Sequence, residues 1–359
     1  ISDTYFRIIS KHFKILDLTA CSDIQHSKAK EKEELFDGVQ ALTVEELVAN
    51  PDIEIILNLT NPVSHKDISM LALKSGKHVY SEKPLAMTRD DGYELVKFAR
   101  SQNLLIGCAP DTFMGAGQQT CRNIFDSGTI GTPVTATAFM MCRGHESWHP
   151  NPEYYYEPGG GPMFDMGPYY LTALCNILGP AKRVTAITQT SFSVRTIGSG
   201  KRKDEVFEVK TPTHIVGLIE FVSGASANII TTFDVWHSRL PHLTIYGSNG
   251  TMLLPNPNNF EGPVEIALGT DQNWQNIPLT HAFSDNSRGI GLADMAYAIR
   301  TGNPYRANGE LAYHVLDIME SFFESAREGK HIEIRSTCTR PDPLPIGLSN
   351  NFIDAILGA

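Results

Sequence analysis

The sequence predicts a two-domain α/β protein, in which a doubly wound parallel-sheet domain precedes an α+β domain built on one large, mostly antiparallel sheet. Three observations point there. Short apolar strand patterns alternate with helical patterns up to about Ala109, as a parallel sheet covered on both faces requires. From Pro133 the texture changes to β-branched, often alternating segments joined by turns such as Ser223-Gly224 and Ser248-Asn249-Gly250. A length of 359 residues also exceeds what one small core organises. The expected division is residues 1–112, residues 113–345 and a surface tail over 346–359.

Taken in order, residues 1–13 have helical periodicity, and Ile15-Leu16-Asp17-Leu18-Thr19-Ala20-Cys21-Ser22-Asp23 reads as a strand ending in an acid. At the end of the second strand of a dinucleotide-binding fold, such an acid accepts hydrogen bonds from the adenosine ribose and repels a 2′-phosphate. That places Asp23 for NAD rather than NADP. It is equally well placed to cap the helix that begins near His26-Ser27-Lys28. The glycine loop Gly-x-Gly-x-x-Gly that belongs to such a fold is absent, and neither Gly115-Ala116-Gly117 nor Gly289-Ile290-Gly291 replaces it. Because the chain opens on a helix and not on methionine, the first strand and its loop are expected upstream of Ile1.

A helix through about Leu35, a short strand over 38–41 and a helix over 43–49 follow, the last opened by a Thr43/Glu46 capping box. A βαβ unit comes next: a strand over 54–59, then Thr60-Asn61-Pro62, a helix, and His78-Val79-Tyr80-Ser81-Glu82-Lys83-Pro84. Open parallel sheets bind ligands at the carboxyl ends of their strands, which here carry Thr60-Asn61 and Glu82-Lys83. Lys83 is an acid/base candidate, since the following proline restricts its backbone and burial or a neighbouring cation would bring it towards neutrality. The plain alternative is a surface pair before a turn. A helix over 88–102 and a strand over 104–109 complete the first domain.

In the second domain a helix over about 117–127 ends at Gly128, strands are expected over 134–141, 184–194, 214–221, 225–233 and 243–246, and helices over 291–300 and 310–328. Between sheet and helix lies Trp148-His149-Pro150-Asn151-Pro152. Then come Tyr154-Tyr155-Tyr156 and Gly159-Gly160-Gly161-Pro162-Met163-Phe164-Asp165-Met166-Gly167-Pro168-Tyr169-Tyr170. The glycines permit close backbone approach to a ligand or unusual dihedrals, and Asp165 and Tyr169, four apart, share one face of a helix. A glycine-rich loop leading into a capped core helix is the competing reading.

Composition narrows the function. The chain is 42% hydrophobic and 19% charged, as ordinary globular proteins are. Its net charge of −10 argues against nucleic acid or an anionic membrane as partner, and no apolar run is long enough to span a bilayer. It reads as cytoplasmic. The six cysteines show no paired spacing and are expected to be reduced and mostly buried.

Together, Glu82-Lys83-Pro84 and Gly159-Gly160-Gly161-x-x-x-Asp165-x-Gly167-x-Tyr169 resemble the Gfo/Idh/MocA oxidoreductases, over nearly the whole chain. The resemblance implies an N-terminal Rossmann domain, with Thr60, Asn61, Pro62, His65 and Glu82 along an NAD cofactor and Lys83 assisting proton transfer beside the nicotinamide. It implies a homodimer or homotetramer formed through the C-terminal sheet. Many relatives have histidine where this chain has Tyr169, so the chain is similar to the subset in which tyrosine is the acid/base. A tyrosine titrates near 10, and a neighbouring Lys83 cation would make its phenolate accessible. The implied reaction moves hydride between nicotinamide and a hydroxyl-bearing carbon of a sugar or polyol, with Asp165 holding a substrate hydroxyl. Asp111, His149 and His237, in polar loops near these motifs, are further candidate substrate contacts, for which structural roles compete.

Cys142-x-x-His145-x-x-x-His149 imitates a zinc spacing, but Cys142 ends a strand pattern, and no metal site is expected. Two other readings stand as alternatives: a sugar- or nucleotide-sensing protein of the same fold, and a glycoside hydrolase assisted by tightly held NAD. Retention of Lys83, Asp165 and Tyr169 together argues against a sensor.

Overall fold

The structure, a computed structural model, describes residues 1–271 and 273–347. From residue 348 onward the expected tail lies outside the described residues. The described chain forms two compact units, residues 1–111 with 286–312 and residues 112–285 with 313–347.

In the first unit α1 (Ser2–His12) leads to β1 (Ala20–Cys21), α2 (His26–Leu35), β2 (Gln40–Ala41), α3 (Val44–Ala49), β3 (Ile55–Asn58), α4 (Pro62–Lys74), β4 (His78–Ser81), α5 (Arg89–Ser101) and β5 (Ile106–Cys108). The named strands here pair in parallel, β1 with β2 and β3–β4–β5 in that order, and one isolated antiparallel bridge joins Gly107 to Asn308. β4 is central and buried almost throughout, with Val79 and Tyr80 fully enclosed. That is the burial a sheet covered on both faces imposes. The helix starts follow local chemistry, with the expected capping box at Thr43 and Glu46, and Thr88 Oγ1 accepting from Asp91 N. The strand expected over 15–23 shrinks to β1. Leu16 N donates to Phe13 O at 3.0 Å, turning the chain after α1, and β2 offers only two residues to pair with.

The second unit contains α6 (Ala116–Asp126), β6 (Pro133–Met141), α7 (Gly161–Leu178), β7 (Ala181–Gln189), β8 (Val194–Thr196), β9 (Val206–Glu208), β10 (His214–Phe221), β11 (Ser226–Thr232), β12 (Leu243–Gly247), β13 (Gly250–Leu254), β14 (Glu265–Leu268) and β15 (Gln275–Asn276). The chain then returns to the first unit as α8 (Ile290–Thr301), against β5, before α9 (Gly309–Glu328) and β16 (Ile332–Glu333). Nine strands form one sheet in the order β15-β14-β13-β12-β6-β11-β10-β7-β16, antiparallel except for the parallel pair β6–β11. Alternation along β10 buries Ile215, Ile219 and Phe221, while Leu218 points outward. α7 lies against β6, β10 and β11. The strand expected over 184–194 is two pieces, because β7 ends at Gln189 and β8 leaves the large sheet to pair with β9.

Candidate functional site

At the carboxyl end of β3, Asn58 is buried and organises the following turn. Its Nδ2 donates to His65 O (3.0 Å) and Ser69 Oγ (2.9 Å), and its Oδ1 accepts from Thr60 N (3.2 Å) and Thr60 Oγ1 (2.7 Å). Thr60 and Asn61 are exposed; Asn61 is the N-cap of α4, with Pro62 in its first turn and no side-chain cap bond. Pro62 has no N–H and Ser64 N donates to Asn61 O (2.8 Å), which leaves the Val63 N–H as the group this helix end can offer a polar ligand.

His65 is 1% exposed, so it sits beneath this turn rather than on its surface. Its Nδ1 lies 2.6 Å from Pro84 O and its Nε2 2.9 Å from Thr60 O, so the ring braces the two strand-end loops together. Both carbonyls can only accept, whereas a neutral imidazole has one N–H to give. Burial holds the histidine below its ordinary pKa, while the two carbonyls and Glu82 oppose that effect.

After β4, Glu82 Oε1 accepts from Tyr5 Oη (2.9 Å) and its Oε2 from Lys83 N (3.1 Å). Tyr5 is fully buried, and burial first and Glu82 second keep its phenol protonated, so it remains a donor. Lys83 is half-buried and its bond to Pro84 is cis. Past β1, Asp23 is exposed and its Oδ1 accepts from Gln25 N (2.8 Å). That bond shapes the turn into α2 and leaves the α2 N-terminus without a side-chain cap, in contrast to the capping alternative. The neighbouring Ser22 Oγ is buried without a hydrogen-bond partner.

Asp111, expected as a substrate contact, is 1% exposed, and its carboxylate works inside the first unit. Its Oδ2 accepts from Gly289 N (2.7 Å) and Gly291 N (3.1 Å) at the start of α8, where Gly289 adopts φ +105°. The glycine pair that could not replace a dinucleotide loop thus serves a carboxylate of the protein itself. Burial pushes Asp111 up to about 6, against the two glycine N–H groups that favour its ionised form.

In the second unit Asp165 and Tyr169 lie one turn apart on α7, both half-buried. The glycines before them supply unusual backbone: Gly159 and Gly161 have φ +81° and +79°, and a Cβ on Gly161 would stand 2.8 Å from Pro212 O. His145, in the loop after β6, places Nε2 2.8 Å from Asp165 Oδ2, where the imidazole donates to the carboxylate. The Tyr155 ring packs 4.3 Å from the His145 ring, and Phe233 lies at 4.9 Å. Burial, first, and the nearness of Tyr154, Asp165 and Tyr169 raise the Tyr155 pKa, so its phenol stays protonated beside both residues.

Behind this loop is a buried ionic cluster. Arg195, 3% exposed, donates to Glu146 Oε1 (2.7 Å), to Asp234 and to Arg143 O (3.1 Å). Glu146 also accepts from Tyr156 Oη, and Asp234 Oδ2 from Thr213 Oγ1 (2.8 Å). The cluster ties the 143–156 loop to β8 and to the end of β11.

Of the residues expected to touch substrate, His149 lies in the same aromatic group, 5.6 Å from Tyr155, while His237 stands exposed in the loop after β11. Sequence reasoning does not single out His145 and Tyr155 as substrate-side residues, although the run of three tyrosines before three glycines is a visible signal. Among the described residues no three His, Cys, Asp or Glu side chains are grouped to hold a metal ion.

Residues 1–109 match the family model described as the oxidoreductase family, NAD-binding Rossmann fold, and residues 118–253 match the GFO/IDH/MocA C-terminal domain. The chain is similar to 1,5-anhydro-D-fructose reductase of Ensifer adhaerens, 26% identical over 304 residues covering 83% of this chain and 85% of that one. It is also similar to D-glucoside 3-dehydrogenase of Escherichia coli K12, 25% identical over 339 residues covering 89% and 90%. Among solved structures, levoglucosan dehydrogenase in complex with NADH and levoglucosan superposes with a TM-score of 0.78 at 16% identity, over 93% of this chain and 96% of that one.

Proposed function

The chain belongs to the Gfo/Idh/MocA family of NAD-binding oxidoreductases, and we propose that it moves hydride between nicotinamide and a hydroxyl- or carbonyl-bearing carbon of a sugar, polyol or related small molecule. What supports this most is Asp165, held by His145 on the same helix face as Tyr169 and flanked by the protonated Tyr155.

The first unit fits a dinucleotide. Asp23 stands exposed beside the unpartnered Ser22 hydroxyl, and α4 begins at the exposed Thr60-Asn61 turn with no side-chain cap. Asp23 would accept the ribose hydroxyls and repel a 2′-phosphate, which favours NAD over NADP. Thr60, Asn61, Pro62, Glu82 and Lys83 would line the cofactor, with His65 bracing their loops from below. When bound, NAD supplies the two-electron acceptor or donor.

The residues of the chain do the rest. In the oxidative direction Asp165 accepts a hydrogen bond from a substrate hydroxyl and orients the carbon that loses hydride. Tyr169 Oη takes the hydroxyl proton as the carbonyl forms; a phenol ordinarily titrates near 10, so this role needs a cation to favour its phenolate, the part assigned to Lys83. Glu82, fixed by Tyr5, accepts from the Lys83 backbone N–H and so holds the start of that segment. A second copy of the chain covers the outer face of the large sheet, where Ile187 on β7 and Leu218 on β10 stand exposed on one side.

Steady-state kinetics on a panel of aldoses and polyols test this reading. Lys83→Ala and Tyr169→Phe should each lower kcat by about 100-fold or more, with cofactor Kd changed only a few-fold. Near-normal kcat in either variant removes that residue from proton transfer.

A further inference from the structure

Rings continue outward from the Asp165 side of the second unit. From His145 and Tyr155 the path reaches Tyr154, whose ring lies 4.0 Å from that of Tyr155 at an interplanar angle of 32°. It also reaches Trp148, 5.3 Å from His145, while His149 touches Trp148, Tyr154 and Tyr155 at 5.3, 5.5 and 5.6 Å. Trp148 and Tyr154 are nonetheless 58% and 52% exposed. Two large aromatic side chains thus pack against other rings and are still more than half exposed, close in the chain to the residue that holds the carboxylate proposed to orient substrate.

The edge of this surface is polar but electrically balanced. Arg202 pairs with Glu153 at 2.6 Å and Glu205 at 2.8 Å and reaches Asn151 Oδ1 at 3.5 Å; Asn151 N donates to His149 Nδ1 at 3.1 Å. Flat aromatic faces suit the C–H face of a pyranose, and the amide and paired charges suit its rim of hydroxyls. The guanidinium is already neutralised by two carboxylates, so the surface favours an uncharged ring over a sugar phosphate.

We infer that Trp148 and Tyr154 form a second subsite, which stacks a ring joined through a glycosidic oxygen to the sugar held at Asp165, making glycosides and disaccharides the substrate class. This rests on the sugar oxidation proposed above. The reacting carbon and its proton acceptor are unchanged; the second ring contributes binding alone.

Kinetics with D-glucose, D-galactose and D-xylose against maltose, cellobiose, lactose and xylobiose, on the full-length protein, test it. A disaccharide should exceed its monosaccharide in kcat/KM by about tenfold, the scale of one or two ring contacts. Trp148→Ala and Tyr154→Ala should each remove most of that excess, while lowering the monosaccharide value less than about twofold. Equal losses on both substrates, or no disaccharide preference, overturn the subsite. Saturation-transfer NMR of the same sugars with wild type and Trp148→Ala separates the two readings. Disaccharide binding that depends on Trp148 without any turnover supports the subsite and sinks the oxidation; absence of disaccharide binding sinks the subsite whatever the turnover.

Discussion

Asp111→Asn is the perturbation whose size follows most directly from the structure. Burial raises this carboxyl from its ordinary 3.8 to about 6, while Gly289 and Gly291 donate to Oδ2. A carboxyl whose folded pKa is raised stabilises the fold fully below about pH 4, where both states are protonated at this position. That contribution is lost as pH climbs through the folded value near 6. A rise of that size corresponds to about 3 kcal/mol. Asparagine keeps an oxygen to accept from the glycine N–H groups but never ionises. Urea unfolding of wild type and variant across pH 4–8 should therefore show the variant gaining on wild type by up to about 3 kcal/mol between about pH 4 and pH 7, with the difference level above that. A difference independent of pH refutes the reasoning. Asp111→Ala, which strands two buried N–H groups, should instead destabilise at every pH, by about 2–5 kcal/mol.

Other consequences are equally direct. Arg195→Met leaves Glu146 and Asp234 buried without their cation and should cost about 3–5 kcal/mol in urea unfolding, a loss that Glu146→Gln with Asp234→Asn in the same chain should largely reverse; a cost below about 1 kcal/mol contradicts a cluster that holds the loop. Asp23→Ala should raise the NADP-to-NAD ratio of kcat/KM by about tenfold, as cofactor kinetics will show, whereas an unchanged ratio assigns Asp23 to its turn alone.

Much of the fold was legible because its signals are local. The alternation of strand and helix to Cys108, the Thr43/Glu46 box and the alternating burial of β10 each depend on residues a few positions apart. That Asp165 and Tyr169 lie one turn apart on a helix was legible for the same reason. What escaped is what the tertiary fold assembles. His145 meets Asp165 across twenty residues, and Asp111 meets Gly289 across 178. A polar residue in a loop looks solvent-facing in sequence, and only the return of the chain as α8 buries Asp111 against a helix start. His65 shows the opposite limit. The family resemblance groups it with Thr60, but its depth, with both ring nitrogens on carbonyl oxygens, depends on Pro84 nineteen residues on. The break after Gln189 is likewise invisible in a β-branched run, because it reflects where β8 finds β9.

The central claim is hydride transfer from a sugar carbon to nicotinamide, and following the isotope tests it most directly. Full-length protein is incubated with NAD and with glycosides and polyols deuterated at each hydroxyl-bearing carbon in turn, and the nicotinamide is examined by mass spectrometry. Deuterium should appear on the reduced cofactor from one carbon position only, and Tyr169→Phe should suppress it. Glycoside cleavage with no labelled, reduced cofactor, or no label from any position, contradicts the assignment as a sugar oxidoreductase.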